Sequence, residues 1–292
     1  MNRVGLLSAA GLILLGMSAS GVFVSAQRIS IPEPRRGAGD SITAAYEGWY
    51  YNPDGSRAFL IGYYNRNSRQ EIDIPIGPNN HIEPGGPDLG QPTHFLTGRQ
   101  WGMFSLPAPR EFKPTDSYTW TLVANGQTVS IPFRLHPDYV MAPFSEIAAN
   151  NTPPVIRFEQ NGKTIQGPVA MLASAPTRTA TMGQPLELPL FVTDDMKYAS
   201  GTGTGPPANR PPVSLRWTKY RGPGEVKFDK ARPEVTKVSQ GEGLFSGKST
   251  AAATFSEPGD YVLHLTANDY SGDGGQGFGC CWTTALLKVT VK

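Results

Sequence analysis

Beyond residue 26, no stretch of this 292-residue chain sustains an apolar repeat of 3.6 residues. Long amphipathic helices are thereby excluded, and the chain must fold from short extended segments. Its 33 glycines and 27 prolines cut the apolar runs to strand length. Proline lacks the donor that a helix interior needs, and both residues favour turns. Short helical turns are expected only at Glu225 to Lys230 and at Phe144 to Asn150. What remains is alternation with a period of two. In Val213-Ser-Leu-Arg-Trp217 the odd positions are apolar and the even ones polar. Tyr261, Leu263, Leu265 and Ala267 repeat the pattern against His264 and Thr266, as expected of strands with one buried face.

The first residues carry the parts of a secretory leader. Arg3 supplies the positive start, a largely apolar segment runs from Val4 to Val24, and Val24-Ser25-Ala26 forms a small-residue cleavage site before Gln27. Residues 1–26 are expected to be a signal peptide and residues 27–40 a flexible N-terminal segment. The product would be secreted or periplasmic, with no mature transmembrane segment. The 26 basic and 24 acidic residues nearly balance, which leaves no concentrated positive field of the kind nucleic acid requires.

Turn chemistry divides the rest. In the first half, Tyr46 to Tyr51 and Ala58 to Tyr64 flank the turn Asn52-Pro-Asp-Gly-Ser56. Glu71 to Pro75 alternates, Trp101 to Leu106 follows a long loop, and Tyr118 to Val123 pairs with Thr128 to Leu135 across Asn125-Gly126. His136 to Pro153 reads as a polar joint. The second half offers seven strands: Val155 to Glu159, Leu186 to Thr193, Val213 to Lys219, Val226 to Phe228, Thr250 to Phe255, Tyr261 to Asn268 and Thr283 to Val291.

Three features of residues 153–292 suggest a family. Trp217 lies in the third strand, Pro258-Gly-Asp-Tyr261 leads into the sixth, and Ala285-Leu-Leu-Lys-Val-Thr-Val291 closes the series. This region resembles the immunoglobulin-like superfamily, especially polycystic-kidney-disease-type and cadherin-like modules of secreted bacterial proteins. It departs from them by lacking an inter-sheet cysteine pair and by enlarging two loops. The resemblance implies a Greek-key sandwich used for recognition, spacing or attachment. The expected fold is therefore all-β, with two immunoglobulin-like Greek-key β-sandwich domains after the signal peptide. Residues 41–150 would form a recognition domain, and residues 151–292 an immunoglobulin-like domain with a glycine-rich Cys-Cys loop.

Candidate sites follow from that topology. The loops after the second and sixth strands would share one pole, bringing Asp194, Asp195, Asp269 and Asp273 near Cys280 and Cys281. Carboxylates suit calcium. The adjacent cysteines allow a vicinal disulfide with a structural or redox role, or two thiolates for a soft ion such as copper or zinc. In the long loop Ile76 to Phe95, the residues His81, Glu83, Asp88 and His94 suggest either a metal set or a proline-stiffened cap. Trp49 and Tyr51, with Tyr50, Tyr63 and Tyr64 nearby, suggest either core packing or an aromatic platform for glycan or protein. No nucleophile elbow or paired catalytic carboxylates occur. The expected function is that of an exported, non-catalytic binding or assembly module contacting another exported or cell-envelope protein. The alternatives are a carbohydrate-binding protein, or a copper- or zinc-binding or redox-active protein using the cysteines.

Overall fold

The computed structural model describes residues 36–146, 150–197, 210–241, 244–269 and 280–292. The first half contributes strands β1 (Ile42–Tyr51), β2 (Arg57–Asn65), β3 (Ile72–Asp73), β4 (Asn80–Glu83), β5 (His94–Phe95), β6 (Gly98–Ala108), β7 (Tyr118–Ala124) and β8 (Gln127–Phe133). The second contributes β9 (Val155–Arg157), β10 (Ile165–Gln166), β11 (Thr177–Ala180), β12 (Leu186–Asp194) and β13 (Ser214–Arg221). It continues with β14 (Val226–Phe228), β15 (Thr236–Gly241), β16 (Leu244–Phe255), β17 (Gly259–Asn268) and β18 (Trp282–Val291). Among the described residues the only helical pieces are the 3-10 turns Pro137–Tyr139 and Leu172–Ser174. None of the described helices is long and apolar enough to cross a membrane.

Of the two expectations for Glu225 to Lys230, the strand Val226 to Phe228 forms, as β14, held against β16 by pairs such as Val226 with Phe255, and the helical turn does not. The turn expected at Phe144 to Asn150 falls partly on 147–149, outside the described residues. Its described part is not helical.

The chain builds β-sandwich-like layers. In the first half, β1-β2-β6 and β4-β7-β8 are separate three-stranded sheets. Between them pack Phe59, Phe104, Trp120 and Phe133, all essentially inaccessible. In the second half, β10-β9-β12-β16-β14, with β15 also on β16, faces β11-β18-β17-β13. Alternation places Leu188, Leu190 and Val192 of β12 in one core with Trp217, Leu263 and Leu265. Each such side chain contributes on the order of 1.5–3 kcal/mol by leaving water. Strand β11 runs parallel to β18, while the other pairs in that sheet are antiparallel.

Tyr261 fixes the approach to β17. Its hydroxyl donates to the Glu257 carbonyl at 2.9 Å and accepts the Gly224 N–H at 3.0 Å. A Cβ at Gly222 would run into the same ring, and Gly222 has φ +142°, so glycine is required there.

The outward positions of β13, β17 and β18 hold a difference from the sequence reading. Alternation predicts one buried face, yet His264 is 2 % exposed, Thr284 is inaccessible and Leu286 is 2 % exposed. The first half covers that face together with the segment Gly167 to Ala170, whose Ala170 N–H donates to Thr284 Oγ1 at 3.2 Å. Tyr220, Val262 and Leu286 join its hydrophobic core rather than the second one. The Tyr220 hydroxyl donates to the Gly90 carbonyl at 2.6 Å. Arg221 forms a fork with the Asp88 carboxylate at 2.9 and 2.8 Å, and it also donates to the Gln91 carbonyl. Residues 35–292 accordingly form one compact unit containing both cores.

Candidate functional site

At the expected pole, Cys280 and Cys281 are joined by a disulfide across a cis peptide bond, with Cα atoms 3.1 Å apart. Both are buried, at 3 % and 0 % exposure. Bonded to each other, the sulfurs offer no thiolate to a soft ion, and their burial shields them from thiol reagents. Cys281 Sγ lies 3.6 Å from the Asn151 carbonyl oxygen. The Asn151 side-chain amide donates to Asp269 Oδ2 at 2.7 Å, which ties the joint to the end of β17. Asp195 accepts both the backbone N–H and the hydroxyl of Thr152, at 3.0 and 2.9 Å. Asp194 accepts the Met196 N–H at 2.8 Å, while its Oδ2 is buried without a hydrogen-bond partner among the described residues.

Burial pushes the Asp194 carboxyl up to about 7; the Met196 N–H opposes this, and Asp269 and Asp195 reinforce it. Topology thus gathers Asp194, Asp195 and Asp269 beside the cysteines. Asp273 lies outside the described residues. Among the described residues no three His, Cys, Asp or Glu side chains are grouped to hold a metal ion. Asp195 and Asp269 instead fasten the joint.

The long loop is a cap as well as a connection. It contains β4 and β5, and Asn80 anchors it from inside. The Asn80 amide donates to the Ile74 and Pro92 carbonyls at 2.9 and 2.8 Å, and its oxygen accepts Trp120 Nε1 at 2.9 Å. The set His81, Glu83, Asp88 and His94 does not converge. His94 contacts Asp73 at 2.9 Å and Glu71 at 3.2 Å, Asp88 holds Arg221, and His81 sits on β4 opposite Thr121. Of the two readings of the aromatic cluster, core packing holds at Trp49, which is 6 % exposed and donates from Nε1 to the His136 carbonyl at 2.8 Å. Of that pair only Tyr51 faces outward, at 55 % exposure; Tyr139, packed on Tyr46, and Val140, bridged to Trp49, are exposed as well.

A cleft of about 430 Å³ lies where β6 of the first half meets β13, β17 and β18, a junction the sequence reading did not anticipate. Arg99, Gln100 and Trp101 line one side, and Arg216, Arg232 and Thr266 line the other. On β13 and β17, Arg216 stands directly across from Thr266 and Thr218 from His264. The polar stripe of the alternating strands therefore becomes a wall of the cleft. A bulge in β1 between Tyr46 and Gly48 turns Glu47 toward β6. Glu47 pairs with Arg99 at 2.9 Å and accepts the Gly102 N–H at 3.0 Å. Burial pushes the Glu47 carboxyl up to about 7, while Arg99 and the Gly102 N–H pull it back. The Arg99 guanidinium also lies 3.8 Å from the centroid of the Trp101 ring. Gly102, at φ +52°, presses against the Trp282 indole where any Cβ would intrude.

Arg216 and Arg232 form no ion pair with any described carboxylate at salt-bridge distance. Arg216 donates to Gln100 Oε1 at 3.4 Å. Burial and then the nearby Arg232 lower the Arg216 pKa, with Tyr63 and Glu71 acting in the opposite direction. Beneath the wall, Thr218 Oγ1, His264 Nε2 and Trp282 Nε1 have no hydrogen-bond partner among the described residues. Burial drives His264 down to about 3, so its imidazole is neutral, stacked on Tyr220 at 5.9 Å. Buried unpaired polar atoms each cost about 1–3 kcal/mol, and three behind one cleft mark a region not optimised for packing alone.

No protein-family model matches the chain, and no curated protein matches it. Among solved structures, domains 4 and 5 of the S-layer protein SbsC align over 86 % of this chain and 98 % of theirs, at 10 % identity and TM-score 0.23. The S-layer protein rSbsC(31-844) aligns over 87 % of this chain and 28 % of its own, also at 10 % identity and TM-score 0.23. The endo-fucoidan hydrolase MfFcnA4, from glycoside hydrolase family 107, aligns over 88 % of this chain and 30 % of its own, at 12 % identity and TM-score 0.22. Likeness at this level establishes no common fold, substrate or partner.

Proposed function

We propose that this chain is an exported, non-catalytic binding module whose recognition site is the cleft between its two cores. Export is supported by the leader-like residues 1–26 and by the disulfide, a bond favoured in oxidising compartments. The strand order of the second half, with β11 parallel to β18, supports the immunoglobulin-like reading. The observation that carries the proposal is the cleft itself. Its volume falls in the range of small-ligand sites, and its walls combine guanidinium groups with the partly exposed Trp101.

The test compares wild-type protein with Trp101→Ala on an array of glycans and on blotted cell-envelope proteins of the native host. A ligand that binds wild type and loses at least about tenfold in affinity, roughly 1.4 kcal/mol, in Trp101→Ala supports the reading. Binding that is equal in both proteins places recognition elsewhere. A second reading, protein contact through the β1 side, is favoured by the exposed Tyr51, Tyr139 and Val140. It predicts a ligand lost in Tyr51→Ser and retained in Trp101→Ala.

A further inference from the structure

Resting on the reading of the cleft as the recognition site, we infer that its ligand is an acidic saccharide, a pyranose ring bearing a carboxylate or sulfate. Two cleft guanidiniums, Arg216 and Arg232, repel one another and have no carboxylate at pairing distance among the described residues. Glu47, by contrast, already neutralises Arg99. Among the described residues no Asp or Glu lines the cleft. An oxyanion placed between Arg216 and Arg232 relieves their repulsion and accepts the forked hydrogen bonds that guanidinium groups provide.

The rest of the lining describes what carries the anion. Arg99 lies over the Trp101 ring, while the residue remains 36 % exposed. The indole edge and remaining face offer apolar surface to the C–H groups of a sugar ring. Gln100 and Thr266 supply neutral donors and acceptors for hydroxyl groups. A bare inorganic anion uses none of that surface. A nucleic acid duplex exceeds the cleft and meets a chain with a net charge of only +2. The arrangement fits one charged sugar unit within a chain of them.

The test is calorimetric titration, with tryptophan fluorescence in parallel, of the mature full-length chain. The probes are tetragalacturonate, a chondroitin sulfate tetrasaccharide, neutral cellotetraose and inorganic sulfate. At least one acidic tetrasaccharide should bind, with cellotetraose and sulfate at least about tenfold weaker. Arg232 is exposed, so Arg232→Ala leaves the fold intact and should weaken that binding by at least about fivefold. Arg216→Lys keeps the charge and loses the fork; it should weaken a carboxylate ligand at least threefold. If cellotetraose binds as tightly as the acidic sugars and Trp101→Ala abolishes it, the cleft reading stands and the acidic ligand is overturned. Acidic binding unchanged in Arg232→Ala and Trp101→Ala overturns both. Absence of binding by every probe overturns the acidic saccharide.

Discussion

Asp194 carries an ionisable group into a place that suits its neutral form. Its folded pKa, about 7, lies above the ordinary value of 3.8, mainly because burial strips its hydration. Between those two values the folded chain holds more protons than the unfolded one. The contribution of this group to stability therefore declines as pH climbs from about 4 to 7 and stays lower above that. Asp194→Asn retains an oxygen for the Met196 N–H and removes the charge facing Asp269 and Asp195. It should raise Tm by about 2–4 °C at pH 8, the effect of ~1 kcal/mol in a chain of this size, and leave Tm unchanged at pH 4. Equal gains at both pH values, measured by scanning calorimetry, would refute the assignment. The Cys280–Cys281 bond is testable at the same scale. Being buried, it should resist mild reductant and alkylation in the native protein and become labelled only after denaturation and reduction. Intact mass reads both states, and rapid native labelling would contradict the burial.

Strands with an unambiguous alternation or turn were legible, because their local chemistry and their tertiary surroundings agree. The hairpin β7–β8 closes at Asn125-Gly126, where both residues take positive φ, as the sequence requires. The inward series of β13 and β17 also lies where alternation puts it. The two-residue strands β5 and β10 were not legible, since so short a segment carries no period of its own, whereas β3 falls within the alternating Glu71 to Pro75. Within the expected loop, β4 forms because Asn80 repays three buried hydrogen bonds there. Asn80→Ala should consequently cost about 3–5 kcal/mol in denaturant unfolding, by leaving Trp120 Nε1 and two carbonyls unpaired. A loss below about 1 kcal/mol would show that the loop does not depend on this anchor. At the candidate sites, topology alone brought the carboxylates to the cysteines. Core packing and a platform both stayed open for Trp49 because period two says which residues share a face, and says nothing about what covers that face.

At the scale of the molecule, the cleft stayed hidden in the sequence for the same reason. Arg99 and Arg216 are far apart along the chain, and only the docking of β6 against the outer face of β13, β17 and β18 makes them neighbours. That docking predicts the behaviour of fragments. Residues 151–292 expressed alone would present Tyr220, Val262 and Leu286 to water and leave Arg221 without Asp88. The fragment should self-associate or unfold at least about 10 °C below the full chain, an expectation set by the loss of several kcal/mol. A monomeric fragment as stable as the parent would show that the covered face contributes little.

The roofed outer face of β13, β17 and β18 has a consequence for descent and for engineering. Neither sandwich is a portable cassette, because each supplies the other with a ceiling or a floor. Exchanging one for a distant counterpart would remove one side of the crevice, Arg99 to Trp101 in the one case or Arg216 and Thr266 in the other.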